Sequence, residues 1–440
     1  MRFRNIICCW FATLILSACT PSTPQPPADA PAAEPANSSA AKPDNRPSAD
    51  SKSEDKIVRA SEYFNPLTTE EIRAGWISLF DGETLFGWTA SNDANWTVTD
   101  KAIHADSATS PGLLLTYVPF ADFELRCEVN LAAGGNSGIF LRTTADPKDP
   151  TKDCYELNIS DTHPEYKSAS LVGRAQPSHP VQLDDGWHSY HIRCVGPQIT
   201  VTVDGEQLLD FTDESDNKHL VGLIGLQMNV GEVSFRNITL RPLSMESLFD
   251  GNVANNENII SGWHVVPGSK SEFVVDEQGI HVTNGRGFLE SDKTYDDFVF
   301  QAASITHGQD LNSGYFFRTI TGTADAPDNG YEVQIHNGIE NGNPDQPSNW
   351  GTGAIFRRIP ARRVVSEDNE WTTTTLVAAG PKIAVWVEGY PVVAWTDERT
   401  PDENPRRVLR TEAGHFSLQG HDPTTDLHFR DLKVAPLPKQ

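Results

Sequence analysis

Two stretches, Tyr331-Glu332-Val333-Gln334-Ile335-His336 and Tyr155-Glu156-Leu157-Asn158-Ile159-Ser160, alternate apolar and polar side chains. This alternation is the period of a β-strand that buries one face and exposes the other. The two stretches lie 176 residues apart and begin with the same two residues. They therefore predict β-structure that occurs twice along the chain.

The repetition extends well beyond these strands. Asn136-Ser137-Gly138 recurs as Asn312-Ser313-Gly314, and Leu226-Gln227 recurs as Leu418-Gln419. A period of this length indicates two homologous domains and not a short-period solenoid. We place the first domain at residues 74–243 and the second at 247–437. Short alternating runs, separated by Gly, Asn, Asp and Pro, predict that both are all-β sandwiches or jelly rolls.

The first 57 residues predict an exported protein. Arg2 and Arg4 precede an apolar run that is too short to span a bilayer, which is typical of a signal peptide over residues 1–19. The run ends in Leu16-Ser17-Ala18-Cys19, which resembles a bacterial lipobox, so Cys19 is the predicted lipidation site. The alternative is an ordinary cleavage site with a chance cysteine.

We expect an outer-membrane lipoprotein, or a protein of the periplasm or cell surface, held to the membrane by the lipid anchor only. Thr20 follows the cysteine, whereas an aspartate there would resemble an inner-membrane retention signal. Residues 20–57 are rich in Pro, Ala, Ser and Asp and show no apolar periodicity. Such a composition predicts a disordered linker.

Composition narrows the range of partners. The formal net charge is −25, so we expect no nucleic-acid partner, because nucleic-acid binding needs a basic face. Cys127, Cys154 and Cys194 remain after Cys19, and no Cys/His pattern has zinc-finger spacing. We hypothesise a Cys127–Cys194 disulfide, since alanines occupy both equivalent positions in the second repeat.

Two polar rows are the candidate binding surface. On a strand, Glu332, Gln334 and His336 share one face, and the run 416–421 places Gln419 and His421 on one face in the same way. Glu156 and Gln227 are their counterparts in the first repeat. If the rows converge, acids and amides of this kind suit the hydroxyls of a sugar. The alternative is an ordinary solvated sheet face.

Three further features complete the set of candidates. Asn312 and Arg318 begin and end another shared strand, and Arg318 either supports the carboxylate of Glu332 or has a purely structural role. The longer connection of the second repeat, at residues 341–350, is a surface loop of the kind that frames binding sites. Isolated histidines such as His281 and His307 are interpreted as ordinary structural residues.

These motifs resemble a known family. The segments Leu79-Phe80-Asp81-Gly82, Asn136-Ser137-Gly138-Ile139-Phe140-Leu141-Arg142 and Tyr155-Glu156, and their second-repeat equivalents, are similar to the 3-keto-disaccharide hydrolase domain. The resemblance covers about residues 74 to 437. It implies two tandem concanavalin A-like or laminin-G-like jelly-roll sandwiches in an exported protein, and cleavage of glycosides oxidised at C3.

Neither repeat carries the whole family pattern, Tyr-Glu-x-Gln-Ile-x-Asp followed later by a histidine after Leu-Gln. The first repeat has Asn158 in place of the glutamine and Asn229 in place of the histidine. The second keeps Gln334 and His421 but has Asn337 in place of the aspartate. We therefore place the active site in the second repeat.

The family activity implies removal of the C2 proton, expulsion of the C1 substituent and addition of water. His421 or Glu332 is the predicted base, and Gln334 and Gln419 orient hydroxyls. The enolate needs a hydrogen-bond donor or a divalent metal, so a divalent metal is a candidate cofactor whose ligands the sequence does not identify. The alternatives are a non-catalytic, lectin-like carbohydrate-binding lipoprotein and a surface adhesion protein.

Overall fold

A computed structural model describes residues 63–183, 186–249, 251, 253–254, 259–320, 330–400, 402 and 408–439. The predicted signal peptide, Cys19 and the 20–57 linker lie outside these residues. Within the described part of the chain, no helix is long and apolar enough to cross a membrane. The helical elements are short: α1 (Thr69–Arg73), α2 (Pro150–Asp153) and two 3₁₀ turns, Glu340–Gly342 and Ser348–Trp350.

The first repeat folds into two antiparallel sheets. Its strands are β1 (Ile77–Ser78), β2 (Trp88–Ala90), β3 (Trp96–Thr99), β4 (Ala102–Ala105), β5 (Gly112–Thr116), β6 (Phe123–Leu131), β7 (Asn136–Thr143), β8 (Tyr155–Ile159), β9 (His188–Val195), β10 (Gln198–Val203), β11 (Glu206–Thr212), β12 (Leu223–Val230) and β13 (Val233–Pro242). The larger sheet has the order β11-β10-β9-β6-β13-β4-β3, with β1 beside β13. The smaller sheet has the order β2-β5-β12-β7-β8.

The second repeat has the same arrangement. Its strands are β14 (Glu246–Ser247), β15 (Val253–Ala254), β16 (Ile259–Ile260), β17 (Trp263–Val265), β18 (Glu272–Asp276), β19 (Gly279–Thr283), β20 (Gly287–Tyr295), β21 (Phe298–Thr306), β22 (Ser313–Thr319), β23 (Tyr331–Ile335), β24 (Thr372–Ala379), β25 (Lys382–Val387), β26 (Tyr390–Thr396), β27 (Gly414–Gly420) and β28 (Asp426–Pro436). The larger sheet has the order β18-β19-β28-β21-β24-β25-β26, with β14 beside β28. The smaller sheet has the order β17-β20-β27-β22-β23, and β15 pairs only with β16.

The core of each sandwich follows from strand alternation. In β23, Tyr331, Val333 and Ile335 are buried in the hydrophobic cluster between the two sheets of the second repeat. The intervening Glu332 and Gln334 therefore point to the outer face of the five-stranded sheet. The predicted all-β fold of two tandem sandwiches is confirmed.

The two sandwiches pack directly against each other. The indole nitrogen of Trp386 donates to the carbonyl of Ser78 at 2.8 Å, and Gln301 Nε2 donates to the carbonyl of Gly75 at 2.8 Å. Gly75 has a φ of +92°, and a Cβ there would lie 2.6 Å from Gln301 Oε1. A glycine is thus required for both the backbone turn and the close approach of the second repeat.

The hypothesised Cys127–Cys194 disulfide is wrong. The cysteines lie on neighbouring strands, but Cys127 pairs with Tyr190 and Cys194 pairs with Phe123. This register separates them by four residues along the strands, or roughly 13 Å, which is too far for a disulfide. All three described cysteines are free and buried, and burial raises the pKa of Cys127 and of Cys194 to about 12.

Candidate functional site

The outer face of the five-stranded sheet in the second repeat carries a row of polar side chains across four strands. Glu290 on β20 pairs with Ser417 on β27, and Phe316 on β22 pairs with both Ser417 and Glu332 on β23. We call Glu290, Ser417, Phe316 and Glu332 the acidic row. Glu290 and Ser417 are 2% and 3% exposed, so this row is not a solvated face.

A second row lies one step along the same strands. Phe288 pairs with Gln419, and Gly314 pairs with Gln334. Gly314 and Gln419 are neighbours because the adjacent pair in the ladder is Tyr315 with Leu418. We call Phe288, Gln419, Gly314 and Gln334 the amide row. The sheet thus brings the two predicted glutamines to either side of one glycine.

Gly314 is the floor of the candidate site. A Cβ at this position would lie 2.8 Å from Glu332 Oε1 and 2.8 Å from Glu332 Cγ. The carboxylate of Glu332 therefore folds over the glycine into space that any side chain would fill. This explains in physical terms why Gly follows Asn-Ser in the repeated motif.

Three carbonyl-type oxygens around Gly314 accept no hydrogen bond from the described residues. They are Gln334 Oε1, Gln419 Oε1 and Asn312 Oδ1, and all three atoms are buried. Gln334 is fixed because its Nε2 donates to the carbonyl of Asn349, in the long loop, at 3.0 Å. A buried acceptor without a donor costs about 1–3 kcal/mol. Three such acceptors together suit a ligand with several hydroxyl groups.

His421 follows β27 and belongs to the outer face of the same sheet. Its Nδ1 lies 2.8 Å from Asp422 Oδ2, and its side chain is 42% exposed. Asp422 is itself held by Thr424, whose hydrogen bond lowers the pKa of the Asp422 carboxyl. With Nδ1–H donating to Asp422, the neutral imidazole carries its lone pair on Nε2, where it can accept a proton.

The register places Glu332 and His421 on one face of the sheet. Their backbones are two strands apart, but the Glu332 carboxylate lies over Gly314 on β22, next to β27. The Cα atoms of Gly314 and His421 are one strand and two residues apart, or about 8 Å.

Glu290 and His264 extend the site and were not foreseen from the sequence. His264 Nε2 lies 3.2 Å from Glu290 Oε1, close enough for an ion pair but not aligned for a hydrogen bond. Glu290 Oε2 accepts from Ser417 at 3.5 Å and from Thr319 at 3.4 Å. Residues 287–292 show no alternation that would have marked Glu290, and the first repeat has Leu115 at this register position.

Aromatic rings form the apolar part of the face. Phe288 and Phe316 lie edge to face with ring centroids 5.4 Å apart, and Val266 completes the cluster. Phe288 belongs to the amide row and Phe316 to the acidic row. The polar groups of both rows therefore lie beside a buried apolar cluster.

Arg318 does not belong to this site, and its predicted role as a substrate-binding residue is wrong. Its side chain is 0% exposed and pairs with Asp297 at 2.8 Å, not with Glu332. Its remaining nitrogens donate to the carbonyls of Asp296, Gly380 and Arg410. The cause is a register shift between Phe316 and Thr319. Because of this shift, the Arg318 side chain does not follow the alternation of the strand.

Arg142 makes the equivalent contacts in the first repeat. It pairs with Asp122 at 3.0 Å and donates to the carbonyls of Ala121, Gly196 and His219. Both arginines thus fasten loops at the end of a sandwich. Their recurrence in the two copies reflects folding and not ligand binding.

His336 is held within the fold. Its Nδ1 lies 3.3 Å from the carbonyl of Leu311, and its Nε2 lies 3.1 Å from Ser348 Oγ. The side chain is buried, and both nitrogens have protein partners. His336 therefore holds the long loop against the end of β23.

The first repeat presents a more apolar version of the same face. Glu156 accepts a hydrogen bond from Gln227 Nε2 at 3.0 Å. Leu115 and Gly225 stand at the positions of Glu290 and Ser417, and an apolar cluster of Leu113, Leu115, Phe140, Cys154 and Leu223 forms beside Glu156 and Gln227. Burial raises the pKa of Glu156 above its ordinary value, and the hydrogen bond from Gln227 only partly offsets this.

Among the residues that the structure describes, this face holds no group of side chains with metal-ligand spacing. Among the described residues, the group of His and Asp side chains with metal-ligand spacing is Asp276, His281 and His428. It lies on the other sheet of the second repeat. The need for a metal in the chemistry stays a prediction.

The fold and this face define a carbohydrate-active type of sandwich, and comparison with known families agrees. Residues 75–241 and 244–435 match the family model of the 3-keto-alpha-glucoside-1,2-lyase-like domain. The chain belongs to this family and carries two copies of its domain. The family resemblance predicted from the sequence motifs is confirmed.

Individual relatives match only parts of the chain. A 3-keto-disaccharide hydrolase of Bacteroides thetaiotaomicron is 30% identical over 116 residues, which are 21% of this chain and 40% of that protein. Sex hormone-binding globulin of Crocuta crocuta is 29% identical over 112 residues, which are 24% of this chain and 28% of that protein. The chain thus spans less than half the length of either relative.

Solved structures show only distant likeness. A Parabacteroides distasonis protein provisionally described as a glycosyl hydrolase has 21% identity and a TM-score of 0.36, covering 40% of this chain and 98% of its own. A carbohydrate-binding module from Bacillus subtilis has 18% identity and a TM-score of 0.28, covering 35% of this chain and 95% of its own.

Proposed function

We propose that the second repeat cleaves the glycosidic bond of a carbohydrate that carries a ketone at C3. The observation that carries this proposal is the group of three buried, unpaired acceptors around Gly314, with Glu332 over the glycine and His421 on the same face. The name of the Bacteroides relative supports the substrate class. Export of the protein to the cell envelope remains part of the proposal and rests on residues 1–19.

Binding is the first step. Hydroxyl groups of the sugar donate to Gln334 Oε1, Gln419 Oε1 and Asn312 Oδ1, which removes the penalty of three unpaired buried acceptors. Phe316 lies next to Glu332 in the acidic row and is buried against Phe288 and Val266, so it supports this part of the sheet from below the sugar. The sugar is thereby fixed with its reacting carbons near Glu332 and His421.

Proton abstraction is the second step. The C3 ketone makes the C2 proton acidic, and His421 Nε2 accepts that proton while Asp422 stabilises the resulting imidazolium. The electron pair of the C2–H bond forms the C2–C3 enolate, which then collapses as the C1–O bond breaks and the aglycone leaves with a proton. Water adds at C1 and a proton returns to C2, so atoms and charge balance.

The carboxylate of Glu332 is the second proton-transfer group. Its position over Gly314 places it beside the same ring. In its protonated form it gives its proton to the leaving oxygen, and the resulting carboxylate then takes a proton from the water that adds at C1. Glu290 lies three strands away in the same row and adds a second carboxyl group to this part of the site.

The test is an assay with a 3-keto-disaccharide, run with its unoxidised parent disaccharide as the control. We expect cleavage of the keto-sugar only, with deuterium incorporated at C2 when the reaction runs in ²H₂O. Cleavage of the keto-sugar without deuterium at C2 of the product would exclude the enolate route. Cleavage of the parent disaccharide would exclude the requirement for a ketone. Parallel assays with and without added divalent metal decide the open cofactor question.

A binding role for the first repeat is the second candidate function. Asn136 Oδ1 and Gln227 Oε1 are buried acceptors without partners among the described residues, as are their equivalents in the second repeat. However, Leu115 stands in place of Glu290 and Asn229 in place of His421. This combination favours carbohydrate binding without turnover. Glycan binding that survives His421→Ala and is lost in Gln227→Leu would support it.

A further inference from the structure

A second cluster of chemically active side chains lies on the outer face of the larger sheet of the second repeat. Asp276 on β18, His281 on β19 and His428 on β28 each offer one ligand atom, and these atoms all lie within 4.8 Å of one another. His281 and His428 are cross-strand partners, and their rings stack with centroids 4.0 Å apart and planes 9° apart. Three adjacent strands thus hold the group in place.

The neighbours of this cluster orient its ligands. His428 Nε2 lies 2.9 Å from Asp276 Oδ2, and His428 Nδ1 lies 2.7 Å from His307 Nε2. His281 Nε2 lies 2.8 Å from Asp426 Oδ1. A histidine that binds a metal through one nitrogen usually donates its other N–H to an outer partner, and His307 can accept from His428 in this way.

The donor atoms of this cluster suit a divalent cation. Two imidazoles and one carboxylate form a nitrogen-rich donor set. Such sets favour zinc-like transition metals, whereas calcium and magnesium prefer oxygen ligands.

We propose that Asp276, His281 and His428 bind one transition-metal ion of the zinc class, with His307 and Asp426 as supporting hydrogen-bond partners. Leu427 and Phe429, which flank His428, are buried in the core, so this site lies on the side of the sandwich opposite to Glu332. The ion joins the β18–β19 hairpin to β28 and acts on stability and not on the sugar.

The first repeat supplies a natural control. At the equivalent register position His104 pairs with Ser234, and His104 Nδ1 forms a 2.9 Å hydrogen bond with Ser234 Oγ. The substitution His428→Ser therefore recreates a pair that this fold already accommodates. The proposed site is a property of the second repeat alone.

The experiment is titration of the chelator-treated full-length protein with Zn²⁺ alone, followed by calorimetry and by thermal unfolding. We expect one saturable ion per chain and a higher Tm with Zn²⁺, since an ion that binds only the folded state stabilises it. Co²⁺ in place of Zn²⁺ should give visible absorption bands of a low-coordinate site. His428→Ser should abolish all three signals, His307→Ala should weaken binding about 10- to 100-fold, and His104→Ser should change nothing.

Two results would overturn the proposal. One is the lack of saturable binding in the wild type, and the other is unchanged binding in His428→Ser, which would assign the ion to another group such as His421 and Asp422. If His428→Ser fails to fold, His281→Ser decides the matter, because His281 is 30% exposed and its loss disturbs the core less. Unchanged zinc affinity in that variant would exclude the site.

Discussion

The outer faces of the two five-stranded sheets share a backbone and differ in chemistry. At matching register positions the second repeat has Glu290, Ser417, Phe316 and Glu332, whereas the first has Leu115, Gly225, Phe140 and Glu156. Both copies keep a glutamate and a phenylalanine in this row. In the neighbouring row, both keep a glycine that pairs with an amide residue. Only the second adds another carboxylate and the His421–Asp422 pair.

This difference separates the residues proposed to bind a sugar from the residues proposed to catalyse its cleavage. Open acceptors at Asn136 and Gln227 in one copy, and at Asn312 and Gln419 in the other, recur with the fold. Of the two proton-transfer groups, the glutamate recurs as Glu156, whereas His421 is replaced by Asn229. A duplicated domain can therefore keep binding in both copies while chemistry is confined to one, and each prediction below tests that division.

The largest effect is expected from the proton-transfer residues. His421→Ala and Glu332→Gln should each lower kcat for a 3-keto-disaccharide about 10²- to 10⁴-fold, the usual contribution of a positioned acid or base. The matched control is Glu156→Gln, which should leave kcat unchanged. Wild-type rates in both second-repeat variants, or a comparable loss in the control, would place the chemistry elsewhere.

Strand alternation was enough to predict the fold, the repeat and the face that carries Glu332, Gln334 and Gln419. It failed for Arg318, because a register shift within β22 breaks the alternation at that residue. It also missed Glu290, whose place in the site comes from pairing with a strand more than a hundred residues away. Non-local pairing and bulges are not encoded in the local period.

The glycine between the two glutamines offers a graded test of the comparison. Gly314→Ala should reduce kcat/KM about a hundredfold, because its Cβ would lie 2.8 Å from Glu332 Oε1 and displace the carboxylate. Gly138→Ala should be milder for the first repeat, since the nearest side-chain atom is Gln227 Oε1 at 3.3 Å. Kinetics and glycan binding measured on both variants check this. Equal losses of activity would show that both repeats contribute to turnover.

The substitution Glu290→Leu gives the acidic row the residue, leucine, that the first repeat has at this position. We expect kcat/KM to fall about tenfold, equivalent to roughly 1.4 kcal/mol on the barrier, because His264 loses its buried carboxylate partner. Glu290→Gln is the control that keeps the volume and removes the charge. If Glu290→Gln retains full activity while Glu290→Leu does not, shape and not charge is the contribution of this residue.

The smallest effect concerns stability and the raised pKa of Glu156. Burial among apolar side chains favours the protonated form, so ionisation costs folding free energy as pH rises through the folded-state pKa. Below the ordinary value of 4.5 the carboxyl is neutral in both states and the cost vanishes.

Glu156→Gln should therefore match the wild-type Tm near pH 4 and exceed it near pH 7, because Gln227 Nε2 can donate to the amide oxygen as it does to the carboxylate. Thermal unfolding at the two pH values measures the difference, with the exposed Glu232→Gln as the variant that should show none. A lower Tm for Glu156→Gln at pH 7 would mean that the charge is stabilised in the folded protein. The first repeat would then hold an ionised carboxylate, and the division between a binding copy and a reacting copy would lose one of its supports.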